Sequence, residues 1–178
     1  MTVAGLVLAA GSGTRYGEPK APVVIEGERL VDRAVRNLHE GGCDPVLVVL
    51  GAWVGSVDGA DIVLNDAWPE GMGSSLRAGL AALGEDPQVD AAIVTLVDLP
   101  GLTPEAVRRL VACPDSLAVA TYDGERGHPV RIGRQHWGRA IEVAKGDEGA
   151  RRLLRENAVA LVEVGDVASG YDLDVPAE

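Results

Sequence analysis

At 178 residues, 47% of them apolar, the chain is long enough to bury one real core and too short for two generous domains, so a single domain over 1–178 is expected. Its formal charge of −11 excludes nucleic-acid polymers and acidic membranes as partners, because binding them needs a basic surface that releases counterions. A small anionic ligand is compatible with that charge only where cations cluster locally.

The chain opens on an apolar, β-branched run, "TVAGLVLA" from Thr2, and two more follow, "PVLVVLG" at 45–51 and "DAAIVTLVD" at 90–98. Runs apolar on both faces suit strands covered on both sides, as in parallel sheets. Helical stripes fall between them: Val31, Ala34, Val35 and Leu38, then Leu76, Leu80 and Leu83. A third helix is predicted from "TPEAVRRLV", with Thr103 as N-cap, Pro104 in the first turn and Val107, Leu110 and Val111 as the apolar stripe. The last third reads as strands in "LAVATYDG" and "HPVRIG", a helix in "GDEGARRLLREN" and a strand in "AVALVEVG". Strand and helix in alternation predict an α/β three-layer sandwich, doubly wound on a mostly parallel sheet. With no Phe, the core must be mainly aliphatic.

Apolar runs reach about eight residues, against the ~20 that span a bilayer, and the N-terminus carries no basic flank or cleavage site. A soluble, cytoplasmic protein is expected. Cys43 and Cys113 stand in no CxxC or Cys/His pattern, so neither zinc nor a disulfide framework is implied and both are expected as buried thiols.

The glycine-rich stretch "LAAGSGTRYGEPK", Leu8 to Lys20, follows the first strand, the place where backbone NH groups commonly approach phosphate. It is not a Walker loop, since no glycine pair has the GxxxxGK[ST] spacing. A dinucleotide fingerprint is half present at Gly11 and Gly13, but Gly17 comes one residue late, and Pro19 and Pro22 interrupt the helix that such a motif opens. Two readings stay open. One is an open loop that wraps a triphosphate, with Arg15 and Lys20 as its cations; the other is a surface turn with two solvated cations.

The same stretch resembles the LAAGxSxRxGxxK signature of the MobA-like nucleotidyltransferases, with departures at Gly13, Thr14 and Tyr16. "NDAWPEGMGSSLRAGL" (Asn65 to Leu80) resembles that family's second signature, "VTLVDLP" its metal-binding strand end, and "YDLDVPAE" its terminal acidic element. "GHPV" and "GDEGARRLL" are similar to the molybdenum cofactor cytidylyltransferase branch. The resemblance covers essentially the whole chain and implies a glycosyltransferase-A-like (Rossmann-like) fold.

Nucleotidyl transfer moves the α-phosphoryl group of an NTP to an acceptor as pyrophosphate leaves in line, so the protein's work is placement and charge neutralisation. In that reading Leu8, Ala9, Ala10, Gly11, Ser12, Gly13 and Thr14 flank the nucleotide, with NH groups from Ala10 to Thr14 around the β- and γ-phosphates. Arg15 holds the phosphates bidentately, and Lys20 meets the charge that shifts to the leaving group. Asp98, at a strand end, is either a cap for the next loop or a ligand of the expected cofactor Mg2+. The resemblance implies Asp174 as second ligand, with Asp172 close by. It also implies base or ribose contacts from Asn65, Gly71, Ser74 and Ser75, although either serine equally suits the N-cap of the following helix. His128 and Pro129 fall on the acceptor side; Asp147 belongs there or caps its helix. His39 and His136 have no partner legible in the sequence.

Together these imply a Mg2+-dependent transfer from CTP to molybdopterin cofactor, giving the cytosine dinucleotide and pyrophosphate, with a molybdoenzyme as recipient of the product. Guanylyl or sugar-phosphate transfer, an NAD(P)-binding oxidoreductase and a non-catalytic nucleotide- or cofactor-binding protein are the alternatives. Ala10 bears on the base, because the CTP branch carries LAAG where the guanylyl branch carries LAGG.

Overall fold

The computed structural model describes residues 1–176; Ala177 and Glu178, the end of the terminal acidic element, lie outside the described residues. β1 (Thr2–Ala9) leads through a long loop and a short hairpin, β2 (Val24–Ile25) and β3 (Glu28–Arg29), into α1 (Leu30–Glu40). Then come β4 (Val46–Leu50), β5 (Asp61–Leu64), α2 (Met72–Gly84), β6 (Val89–Leu96) and α3 (Pro104–Ala112). The last third supplies β7 (Leu117–Tyr122), β8 (Glu125–Gly133), α4 (Trp137–Val143), α5 (Arg151–Glu156) and β9 (Ala160–Glu163).

Seven of these strands form one sheet in the order β5-β4-β1-β6-β8-β7-β9. β8 runs antiparallel to both its neighbours, and the other pairings in this sheet are parallel. The predicted α/β sandwich with a mostly parallel sheet is therefore observed. Because successive side chains of a strand point to opposite faces, β1 divides its apolar residues between two cores. Val3, Val7 and Ala9 join Val31, Val35, Leu38, Val107 and Leu110 of α1 and α3 on one face. Ala4, Leu6 and Leu8 meet Leu76, Leu80, Trp137 and Ala140 of α2 and α4 on the other. No helix among the described residues is long and apolar enough to cross a membrane.

Several local expectations need correction. The "GDEGARRLLREN" run is helical only over Arg151–Glu156, since Gly146 and Gly149 both adopt a φ of 54°, outside the helical region. Asp147 accordingly does not cap α5, whose N-cap is Ala150. α2 starts at Met72 with Gly71 as N-cap, so Ser74 and Ser75 lie inside its first turns. Thr103 does cap α3, accepting from the Ala106 NH at 3.3 Å. Cys43 is buried, and that burial pushes its thiol up to about 12; Cys113 is only partly buried.

Candidate active site

β1 sits between β4 and β6, and the chain passes from β1 by way of α1 to one side of it and only later returns to the other. Where strand order reverses in this way, the crevice beyond the carboxyl ends of an open α/β sheet takes the ligand. A cleft of about 400 Å3 lies there. The end of β1 and its loop, Leu8 to Thr14, line it together with Leu96 at the end of β6 and Val97 and Asp98 just beyond. Trp68, Pro69, Gly71, Met72 and Ser75 at the start of α2 close the opposite side, with Lys20 and Asp147 at the edges.

The loop is held at both ends by backbone hydrogen bonds. The Ala52 NH donates to the Ala10 carbonyl at 3.0 Å, which ties the loop's start to the end of β4, and the Gly17 NH donates to the Gly13 carbonyl at 2.7 Å, which turns it back. Between these ties, the NH groups of Gly11, Ser12, Gly13 and Thr14 donate to no acceptor among the described residues. Gly13 has a φ of +65°, and a Cβ placed there would lie 1.8 Å from the Glu18 carbonyl oxygen. Only glycine fits this turn. The N-terminus of α2, with no acidic residue in its first turn, faces the same cleft and adds the positive end of a helix dipole.

Charge concentrates at the end of β6. Lys20 Nζ donates to Asp98 Oδ2 at 3.0 Å and stands 3.8 Å from Asp174 Oδ1, with side chains 13%, 18% and 52% exposed respectively. The Leu173 NH donates to the Asp98 carbonyl at 2.9 Å and the Ser169 NH to the Gly101 carbonyl at 3.0 Å, so the C-terminal segment is strapped beside Asp98 by its backbone. Burial, and then the Asp98 and Asp174 carboxylates, raise Asp172 above the usual carboxylate range against the opposing pull of Lys20. Asp98 Oδ1 is buried and has no hydrogen-bond partner among the described residues. An orphaned carboxylate oxygen beside a second acid is a donor set that suits a hard cation. No cage of three or more ligands is preassembled among the described residues; Mg2+ does not require one, since it takes one or two carboxylates with phosphate oxygens and water.

The other sequence-selected residues are placed unequally. Arg15 is exposed at the turn of the loop, outside the cleft lining, with no ion pair among the described residues. Asn65 is buried behind the cleft wall as a strut. Its amide nitrogen donates to Ser74 Oγ at 2.9 Å and Ser75 Oγ at 3.0 Å, and its oxygen accepts from the Ala67 NH at 3.0 Å. Ser74 lies behind the wall too, donating to the Gly71 carbonyl at 2.7 Å, whereas Ser75 and Gly71 line the cleft. A Cβ on Gly71 would meet Asp147 Oδ1 at 2.6 Å, which shows how closely the Asp147 turn seats on α2. Two histidines gain partners: His39 Nε2 meets the Gly59 carbonyl and His136 Nε2 meets Ser116 Oγ. Trp68, Pro69 and Met72 escaped the sequence reading; one of three tryptophans in a chain without Phe, inside the second signature, was the available signal.

His128 and Pro129 stand where β8 begins its buried stretch, and Tyr122 Oη donates to the His128 carbonyl at 2.6 Å. Burial lowers the His128 imidazole to about 4, Asp98 opposes that shift and Arg151 adds to it. The ring is therefore neutral at pH 7. Because its native value lies below the ordinary 6.5, its stabilisation is complete above pH 6.5 and is lost as the pH falls toward 4, while the unfolded chain takes up the proton first. Urea unfolding should show that loss as about 2 kcal/mol between pH 7 and pH 5, absent in His128→Asn. Parallel pH slopes in the two proteins would contradict the assignment.

The MobA-like NTP transferase domain matches residues 5–162. The chain is 36% identical to nicotine blue oxidoreductase of Paenarthrobacter nicotinovorans, over 97% of this chain and 92% of that protein. It is 30% identical to the purine catabolism protein PucB of Bacillus subtilis, over 98% and 92%. With a molybdenum cofactor guanylyltransferase of Rhizobium johnstonii it shares 29% identity over 72% of this chain and 61% of that one. Among solved structures, Rv0371c of Mycobacterium tuberculosis superposes with a TM-score of 0.86 at 26% identity, covering 98% of this chain and 93% of that one.

Proposed function

Since this chain belongs to the MobA-like NTP transferase family, a family of nucleotidyltransferases, we propose that it moves a cytidylyl group from CTP to molybdopterin cofactor and releases pyrophosphate. The observation that carries this reading is the meeting, in one cleft at the sheet's switch point, of four unpaired NH groups, Lys20 and the half-orphaned Asp98 carboxylate. Those groups suit a triphosphate. In the reaction an acceptor phosphate oxygen attacks the α-phosphorus, the bond from that phosphorus to the bridging α–β oxygen breaks, and the electron pair leaves with pyrophosphate.

The residues divide the work by position. The loop from Gly11 to Thr14 cradles the β- and γ-phosphates, and Arg15 reaches them from the rim. Lys20 neutralises the charge that builds on the leaving group. Leu8, Ala9 and Ala10 border the base, and Asn65 and Ser74 act by holding Ser75 and Gly71 against the nucleotide. Asp147, His128 and Pro129 flank the acceptor, with the imidazole neutral. Asp98 and Asp174 would hold Mg2+, which when bound supplies charge neutralisation on the phosphates. The acceptor assignment draws on the relative named a molybdenum cofactor guanylyltransferase, and on "GHPV" with "GDEGARRLL" in this chain.

Ala10 carries the choice of base. It lines the cleft while packing into the core at 4% exposure, and in this reading a side chain at this position, absent from glycine, limits the approach of a larger base. One methyl discriminates by roughly 1–3 kcal/mol, about 10- to 200-fold. Wild type should prefer CTP to GTP in competition kinetics, and Ala10→Gly should narrow that preference without inverting it. A wild type that favours GTP removes the cytidylyl assignment; an unchanged ratio in Ala10→Gly removes this explanation.

One observation favours a second reading, since the relative at 36% identity is named an oxidoreductase. Such an enzyme needs a bound reductant, and the segment after β4, Gly51 to Gly55, carries no charged side chain to read a nicotinamide dinucleotide's ribose. Parallel assays separate the two readings: pyrophosphate release from each of four NTPs with molybdopterin, and NAD(P)H consumption with quinone-type acceptors. Pyrophosphate release supports transfer; NAD(P)H consumption without it replaces the proposal.

A further inference from the structure

Lys20 lies between the two carboxylates that would hold a divalent cation. Its ammonium group bridges Asp98 and Asp174, at 3.0 and 3.8 Å, and it is the cation those two carboxylates share in this structure. It is also largely sheltered from solvent, so its charge is weakly screened. Both partners are fixed from behind, Asp98 by the end of β6 and the Asp174 segment by the Leu173 NH on the Asp98 carbonyl. A dication held by these two carboxylates would face the Lys20 ammonium at close range, an unfavourable pairing of like charges.

We propose that Lys20 is the metal site's own counter-ion: it fills the cation seat between Asp98 and Asp174 in the nucleotide-free protein and gives it up when a triphosphate offers it a stronger anion. This rests on the reading that the cleft takes an NTP. Lys20 sits in the cleft lining along with the unpaired NH groups of the loop, so a triphosphate in that cradle comes within the side chain's reach. The lysine passes from carboxylate to phosphate, and the carboxylates it leaves take the metal. The consequence is an order of binding. Metal alone binds weakly, and nucleotide opens its seat, which keeps the free protein from taking up divalent cations that it cannot use.

The test is a titration of nucleotide-free protein with Mn2+, followed by electron paramagnetic resonance of the free ion. Lys20→Met and Lys20→Gln should each bind Mn2+ about tenfold or more tightly than wild type, because a like charge at contact distance is gone. Lys20→Arg, which keeps the charge, should show no such gain. Asp98→Asn in the Lys20→Met background should abolish the gain, placing the ion on that carboxylate. Unchanged or weaker Mn2+ binding in both neutral variants, with native melting profiles, overturns the proposal, and so does a gain that survives Asp98→Asn. The NTP reading fails separately: if the neutral variants gain Mn2+ affinity while wild type releases pyrophosphate from no NTP, Lys20 is a counter-ion in a protein of another activity.

Discussion

Asp98→Asn should lower nucleotidyl transfer by about 1,000-fold, roughly 4 kcal/mol, while leaving the melting temperature within a few degrees of wild type. The loss is large because the substitution removes the charge of the carboxylate that both Lys20 and the proposed metal use. The fold is spared because two opposing effects are removed together. Asp98 loses its ion pair with Lys20, but the protein also loses the negative charge that crowds Asp172. The strap to Leu173 runs through the Asp98 backbone carbonyl and survives the change. Rates within tenfold of wild type contradict the role of Asp98; a collapse of the melting temperature shows that the carboxylate is structural.

Gly13→Ala should reduce kcat/KM for CTP on the order of 100-fold, with cytidine binding nearly unchanged. A Cβ at this position collides with the Glu18 carbonyl, and the left-handed backbone costs a non-glycine residue about 1 kcal/mol in addition. The loop relieves both by opening, and the NH groups from Gly11 to Thr14 then no longer converge. Because Gly11 to Thr14 lie outside the two packed cores, the melting temperature should move by only a few degrees. Equal losses for the triphosphate and the bare nucleoside would show that the loop does not hold phosphate.

What the sequence made legible follows from where its physics is local. β1, β4 and β6 are apolar on both faces, so their burial between two helix layers could be read directly, and Thr103 declared the start of α3 by its cap. β5 could not be read. It is a four-residue edge strand with Ile62 and Leu64 exposed, and its pairing with β4 rather than its own pattern makes it a strand. α4 is a seven-residue helix whose stripe of Trp137, Ala140 and Val143 gains meaning only against α2 and β8. The candidate site divides along the same line. The loop from Leu8 to Lys20 announced itself by its glycines and cations, but the meeting of Lys20, Asp98 and Asp174 depends on chain segments far apart in sequence. Asn65, Ser74 and Ser75 touch one another, yet spacing alone does not reveal which of them faces the cleft and which stands behind its wall.

The central claim, that this cleft transfers a nucleotidyl group, is tested most directly by following two labels. Wild-type protein is incubated with molybdopterin cofactor and Mg2+, and with CTP labelled at either the α- or the γ-phosphate. The account predicts α-label in the molybdopterin product and γ-label in pyrophosphate, in equal amounts and both strongly reduced by Asp98→Asn. Label in free CMP, γ-label in inorganic phosphate, or no turnover of CTP or any other NTP would contradict it.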